Sequence, residues 1–425
     1  MTERTGVATR LHSLLVDLFG VVPPVCIVGW DGSTAGSEGG PTIRVHSRKA
    51  VRRLLWAPGE LGLARAYVAG EIDIDGDLTQ AMRELADYGA RIGSKPELSA
   101  ADRREIMRTA VLLGAVGPAP KPPAEELSHW ERGGGAREKI AAAAHDRTLI
   151  DHFRAVLGGS MVDSCAWFES PDQPLDDAQA AKLERVCRLL DLQPGQRLLD
   201  LGCGWGGLLV HAAQRHGVEA VGVSTNADRA ELVRRRLRDA GLDDRAEVRL
   251  GDFSDIEDGP YDAIAALETT DHLPAEQVVE YAAAMQQLLR PGGRIVHQQI
   301  TGRIDVVQEA QATFWGSYVH PDSHLLPLSA VVGGFDGTGI EVRRVISMRE
   351  HYPPTLRHWL NGLEEHWGAV VASVGEPRAR VWRLSLALST VGFERAAMSV
   401  HQLLGVRPFA DGRSGWRMPG EQSGH

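Results

Sequence analysis

Between about residues 175 and 301 the chain alternates two hydrophobic periods. DDAQAAKLERVCRLLDL repeats its apolar positions every three or four residues, which predicts a helix with one buried face. RLLDL follows, a short apolar run that suits a strand covered on both sides. LLVHAAQRHG returns to helical spacing and stops at Gly217. The series continues with EAVGVS, RAELVRRRLRDAG, AEVRLGD, YDAIAAL, a helix across 276 to 290, and GRIVHQQIT. Strand and helix in strict turn predict a doubly wound, mostly parallel sheet with right-handed crossovers.

The pattern differs on either side. LHSLLVDLF reads as an amphipathic helix, and VCIVGWDGS as a strand entering an Asp-Gly turn. PTIRVHS is then expected to be its hairpin partner, with a helix RKAVRRLLWA behind it. Residues 1–116 are thus a small α+β domain. Residues 117–135 mix proline and glycine without apolar periodicity and read as a linker. The second domain is expected over 136–408, beginning with a helical segment and ending in a largely helical stretch after 301. The tail 409–425 has no periodicity and is expected to be loose.

Composition changes this picture little. The 425 residues are 43% apolar and 24% charged, ordinary for a globular chain. A net charge of −10 gives no support to a nucleic-acid partner. No apolar window reaches the roughly 18 residues of a spanning helix, and the N-terminus lacks a signal-peptide pattern. A cytoplasmic protein with at most peripheral contact at the inner membrane face is expected; self-association is left open. Cys26, Cys165, Cys187 and Cys203 are scattered, without CxxC spacing or nearby histidine clusters, so no metal site is expected. Arg44, Arg48, Lys49, Arg52 and Arg53 crowd one segment. Four of them form i,i+4 pairs on one helical surface, either a solvated face or a dock for an anionic headgroup or acyl-carrier phosphate. The basic run of RAELVRRRLRDAG reads as a solvated face.

The chemistry concentrates in Arg197–Leu209, RLLDLGCGWGGLL. Glycines between a strand and a helix let the backbone turn sharply and approach a ligand closely. Gly202, Gly204 and Gly207 satisfy the dinucleotide pattern GxGxxG, but Asp200 stands directly before the loop segment, giving D-x-G-x-G-x-G. The next strand ends in Ser224, Thr225 and Asn226, where a dinucleotide fold wants an acid for the ribose. The pattern is that of a class I S-adenosylmethionine methyltransferase, Rossmann-like in its sheet. The cofactor is expected over Asp200, Gly202, Cys203, Gly204, Trp205, Gly206 and Gly207. Asp252 and Phe253 are expected near adenine, although Asp252 also suits a helix N-cap, with Ser164, Ser224 and Asn226 in support.

Several local patterns together resemble the cyclopropane-fatty-acyl-phospholipid synthase family, which includes the mycolic acid cyclopropane synthases. They are LLWAPGELGLARAYVAGEIDIDGDL, LGGSMVDSCAWF, LLDLGCGWGGL, YDAIAALETTDHL, REHYPPTLRHW and VGFERAAMSVHQ, and the match runs from about 45 to 408. The resemblance implies methyl transfer from S-adenosylmethionine to a cis double bond of an unsaturated phospholipid or fatty-acyl chain. It also implies a bound bicarbonate that removes a proton from the resulting carbocation, leaving a cyclopropane or a methylene branch.

Carried over residue by residue, Cys165 and Ile300 stand at the family's main-chain donors. Gln298 stands at its histidine or glutamine, and Asp271 at its glutamate, one methylene shorter. Glu268, a step earlier, matches an acid of some members, and the tyrosine position falls on Leu360. These departures bear on whether bicarbonate is held. Two other readings compete: a tailoring methyltransferase or cyclase for a polyketide or other small alkene, and an inactive cofactor-binding partner subunit.

Overall fold

A computed structural model describes residues 6–93, 98–126, 153–271, 273–303, 313–319 and 325–416. The chain forms two compact units. One comprises Met1–Ala136, Glu309–Pro321 and Trp367–Val391; the other comprises Arg137–Gln308, Asp322–His366 and Gly392–His425. The second half of the expected linker and residues 136–152 of the expected helical segment lie outside the described residues, and 153–157 are helical.

The larger unit is built on a seven-stranded sheet. Its strands are β5 (Arg197–Leu201), β6 (Glu219–Ser224), β7 (Ala246–Leu250), β8 (Tyr261–Leu267), β9 (Leu289–Gly302), β10 (Glu341–Ser347) and β11 (Met398–Val406). Their order is β10-β11-β9-β8-β5-β6-β7. The five strands from β9 to β7 run parallel, and β11 is antiparallel to both β9 and β10. Two strands therefore emerge from the region after 301 that reads as largely helical. Their apolar positions complete the sheet: Val400 pairs with Ile300, and Leu404 with Val296.

The strand sequences are apolar throughout because consecutive residues feed two different cores. Leu198, Ala220, Ala263 and Val296 face one core, built with helices Leu175–Leu190, Gly207–His216 and Ala227–Asp239. Leu199, Val221, Ile264 and Ile295 face the other, built with helices Ala275–Leu288 and Leu328–Asp336. Leu199 is fully buried, and truncation to alanine would cost about 2–5 kcal/mol. The tail is not loose over 409–416. Phe409 and Arg413 close a turn, and Trp416 packs against the first core beneath the guanidinium of Arg294, 4.7 Å from its ring centroid.

The smaller unit holds a four-stranded sheet in the order β2-β1-β3-β4. β1 is Cys26–Val28, β2 Thr34–Gly36, β3 Thr42–Val45 and β4 Ile72–Asp75. The Asp31-Gly32 turn does make a hairpin, but its partner is β2, with Ile27 opposite Ala35. PTIRVHS instead pairs parallel to β1, Ile27 opposite Ile43. Thr34–Gly36 is too short and polar to announce itself, so the next apolar run takes its place in a sequence reading.

The basic segment is also less solvated than its spacing suggests. Arg53 is buried and forms a bidentate pair with Glu71, Nε to Oε2 at 2.8 Å. Arg44 pairs with Asp75 at 2.8 Å. Arg48 and Lys49 are left exposed on the helix Arg48–Trp56, while Arg52 is half-buried and donates to Ala115 O.

Candidate active site at the strand edge

The glycine loop leaves the carboxyl end of β5 in the middle of the sheet. Gly202, Gly204 and Gly206 adopt φ of +64°, +54° and +79°, a region L side chains rarely enter. Space as well as conformation demands glycine. A Cβ at Gly202 would lie 2.2 Å from Thr269 Cγ2, and one at Gly204 2.9 Å from Asp163 Oδ1. The helix Gly207–His216 begins without a side-chain cap, so its first N–H groups are free to face an anionic or hydroxyl ligand.

The loop is braced from two sides. Arg236 donates to the carbonyls of Trp205 and Ser160, and Arg229 reaches Asp163 at 3.4 Å. These two arginines belong to the basic run read as a solvated face; they tie the loop to segment 160–163. Trp205 is buried, with Arg229 4.6 Å from its ring centroid. Ser164 accepts a 2.8 Å hydrogen bond from Lys182 Nζ, and Gln179 holds its carbonyl at 2.9 Å. A narrow cavity under the loop is lined by Asp163, Ser164, Lys182, Asp200, Gly202 and Gly204. Burial lifts the Asp200 carboxyl to about 7, with Lys182 opposing, and brings Lys182 down to about 8.

Other expected cofactor residues are placed by helix starts. Cys203 is buried, its N–H bonded to Val223 at 3.0 Å. Asn226 caps the helix Ala227–Asp239, its Oδ1 accepting from Asp228 and Arg229. Ser224 Oγ accepts from the Asn226 N–H at 3.2 Å. Asp252 caps the single turn Phe253–Asp255, accepting from the Phe253 N–H at 2.7 Å. Both alternatives read for Asp252 meet at one position: a strand-end acid and a cap.

A second cluster lies beside the loop, because Thr269, which crowds Gly202, follows Glu268 directly. Glu268 stands just past the end of β8 with φ +58°, an unusual backbone for a side chain of this size. Its own N–H donates to Gln298 O at 2.7 Å. Three donors converge on its carboxylate: Cys165 N–H at 3.0 Å, Gln298 Nε2 at 2.5 Å and Tyr352 OH at 2.6 Å. Gln402 Nε2 donates to Gln298 Oε1 at 2.8 Å and so orients that amide. Asp271 accepts the Ile300 N–H at 3.0 Å. Three residues named from the resemblance therefore meet two acids: Cys165 and Gln298 meet Glu268, and Ile300 meets Asp271.

The phenol in this cluster comes from Tyr352, at the start of the helix Tyr352–Glu365, while Leu360 is a buried apolar residue of the same helix. His297 is buried, hydrogen-bonded to Gln299 at 2.9 Å, and lowered by burial to about 4, so it is neutral. His272 lies outside the described residues. Burial pushes the Cys165 thiol well up, which leaves it unreactive.

Burial also raises both carboxyls, Asp271 further because the Glu268 charge adds to it. Glu268, with three donors, gives up its proton before Asp271, which has a single N–H.

S-adenosylmethionine fits the loop: the crowded positive-φ glycines and the uncapped helix start leave backbone where a nucleotide needs it. Bicarbonate does not fit the donor set. Its expected main-chain and amide donors are engaged by the chain's own carboxyl groups, and a further anion would join two buried acids.

A Rossmann-type sheet with this loop defines a class I S-adenosylmethionine-dependent methyltransferase. Residues 136–403 match the family described as mycolic acid cyclopropane synthetase, and the chain belongs to it. It is 32% identical to a probable fatty acid methyltransferase of Mycobacterium tuberculosis, covering 90% of this chain and 91% of that one. It is 31% identical to a tuberculostearic acid methyltransferase of the same organism, covering 90% and 88%. The crystal structure of a mycolic acid cyclopropane synthase complexed with S-adenosylhomocysteine and CTAB superposes with TM-score 0.58 at 26% identity, covering 63% of this chain and 97% of that chain.

Proposed function

We propose that the chain methylates a carbon–carbon double bond of an unsaturated fatty-acyl chain, giving a cyclopropane or methylene-branched lipid. The cofactor supplies an electrophilic methyl group when bound. Asp200 and the Gly202–Gly207 backbone hold it, with Ser164 fixed by Lys182 beside it. The observation that carries the reading is the buried Glu268–Asp271 pair next to the loop. An alkene that accepts a methyl cation becomes a carbocation, and an adjacent ionised carboxylate stabilises that charge far better in a dry site than in water. Glu268 then accepts the proton whose loss completes the product. Asp271 holds the end of β9 through Ile300. Tyr352 and Gln298 keep the Glu268 carboxylate in place.

The test is turnover of methyl-labelled S-adenosylmethionine with monounsaturated phospholipid vesicles, read by mass spectrometry. A product one methylene heavier, with the double bond consumed or moved, supports the reading. Release of S-adenosylhomocysteine only with a non-lipid alkene favours the tailoring enzyme. Cofactor binding without turnover on either substrate favours the inactive partner.

The smaller unit supplies the lipid-facing surface in this reading. Among the described residues no helix is long and apolar enough to cross a membrane. Yet Trp56, Val111, Leu112 and Val116 are exposed, Trp56 by 61% and Val111 by 63%. Arg52 Nε donates to Ala115 O at 3.2 Å and Trp56 Nε1 to Gly117 O at 3.0 Å. Arg48 lies against Gly114. Arginines and a tryptophan thus border one apolar patch, a combination suited to an anionic bilayer at the cytoplasmic face.

A further inference from the structure

Cys187 has no histidine near it in sequence, and no metal site was expected there. Folding changes that. A ring nitrogen of His211, a ring nitrogen of His216 and the Cys187 sulfur all lie within 4.8 Å of one another. Glu184, one helical turn before Cys187, reaches both histidines. Its Oε2 is 3.2 Å from His211 Nε2 and 3.1 Å from His216 Nε2, while Arg188 takes Oε1 at 2.7 Å.

We infer that Glu184, Cys187, His211 and His216 form a binding site for a borderline-soft divalent transition metal, Zn²⁺ above all. The donor set decides the class. Thiolate and imidazole with one carboxylate select zinc-like ions over magnesium or calcium. The geometry agrees. With bonds of about 2.0–2.1 Å, a tetrahedral site has ligand–ligand edges of about 3.3 Å. The two nitrogen–oxygen separations are close to that edge, and the sulfur lies within 4.8 Å of both ring nitrogens. Solvent reaches the group through its histidines, whose side chains are 15% and 17% exposed, while Cys187 is fully buried behind them. Four protein ligands leave no open position, so the site is structural.

Its location gives it a consequence. Glu184 and Cys187 lie on the helix Leu175–Leu190, whose Lys182 and Gln179 hold Ser164. His211 and His216 lie on the helix that opens at the glycine loop. A bound metal therefore staples together the two helices that frame the cofactor cradle. Binding displaces the thiol proton and the hydrogen bonds between imidazoles and carboxylate.

The test uses the full chain freed of metal by a chelator and titrated with Co²⁺. The expected result is one Co²⁺ per chain, intense visible bands of a tetrahedral site, a near-ultraviolet thiolate charge-transfer band, and displacement by Zn²⁺. Cys187→Ser removes the charge-transfer band. His211→Ala with His216→Ala lowers affinity at least about 100-fold. Should these variants misfold, X-ray absorption of the zinc-loaded wild type decides alone: one sulfur at about 2.3 Å is expected. A wild type that takes up no Co²⁺, or a first shell without sulfur, overturns the site. Neither outcome bears on lipid methylation, which is read separately.

Discussion

The two halves of the candidate active site are made in opposite ways. The cofactor cradle is one continuous stretch, Arg197–Leu209, where backbone conformation does the work. The carboxylate cluster is assembled from four separate places: Cys165, Glu268 with Asp271, Gln298 with Ile300, and Tyr352. In the first half glycines remove side chains; in the second, side chains supply every charge. A change in the cradle should therefore damage binding, and a change in the cluster should damage chemistry with binding intact.

The largest effect is expected from Glu268→Gln. It preserves shape and removes the carboxylate that accepts the proton in this reading. Turnover should fall by about 10²–10⁴-fold, the range for losing a positioned proton acceptor, with cofactor affinity changed less than about threefold. Calorimetric titration with S-adenosylhomocysteine alongside single-turnover rates separates the two quantities. Loss of binding together with rate would mean the halves are not separable.

Gly202→Ala tests the cradle. Its methyl would meet Thr269 Cγ2 at 2.2 Å, and φ of +64° adds backbone strain. Cofactor affinity should fall about 10–100-fold, since strain of this kind costs about 1–3 kcal/mol. Adding Thr269→Gly, which removes both the Cγ2 and the Cβ that would lie 2.8 Å away, should recover the part due to collision and leave the part due to φ. If the pair recovers nothing, the cradle depends on glycine for conformation alone.

The same contrast explains what could be read from the residues in order. A contiguous loop shows its glycine spacing, and β5 and β8 show their apolar runs, so the sheet and cradle were legible. Glu268 was named only in second place to Asp271, because spacing cannot reveal a positive φ or three donors arriving from distant segments. Tyr352 was passed over for Leu360 within one helix, since a linear match does not show which face of a helix start turns inward. The Arg53–Glu71 pair and the approach of His211 and His216 to Cys187 are also long-range meetings. Thr34–Gly36 failed for the reverse reason: three small or polar residues carry no period at all.

Tyr352→Phe sharpens the chemistry half. Its hydroxyl donates to Glu268 at 2.6 Å and favours the ionised carboxylate. Burial has already raised that acid, so activity should fall as pH drops through a midpoint above the ordinary carboxylate range. Losing the donor raises the acid further. The acid limb of the pH–rate profile should move to higher pH, with turnover at the plateau reduced by about tenfold or less. A limb that stays in place would show that the phenol packs without tuning the acid.

Asp271→Asn should have the smallest effect of these. Asp271 is raised well above its ordinary range by burial and by the Glu268 charge, so it holds its proton more tightly than Glu268 does. An amide cannot ionise, but neither does the acid it replaces under working conditions, and the oxygen that accepts the Ile300 N–H remains. The variant should keep turnover within a few-fold and leave the acid limb nearly where it was. Asp271→Ala, which strands the Ile300 N–H, should cost more in thermal stability than Asn does. A collapse of turnover in the Asn variant, matching Glu268→Gln, would move the proton acceptor to Asp271 and make Glu268 the group that merely holds the charge.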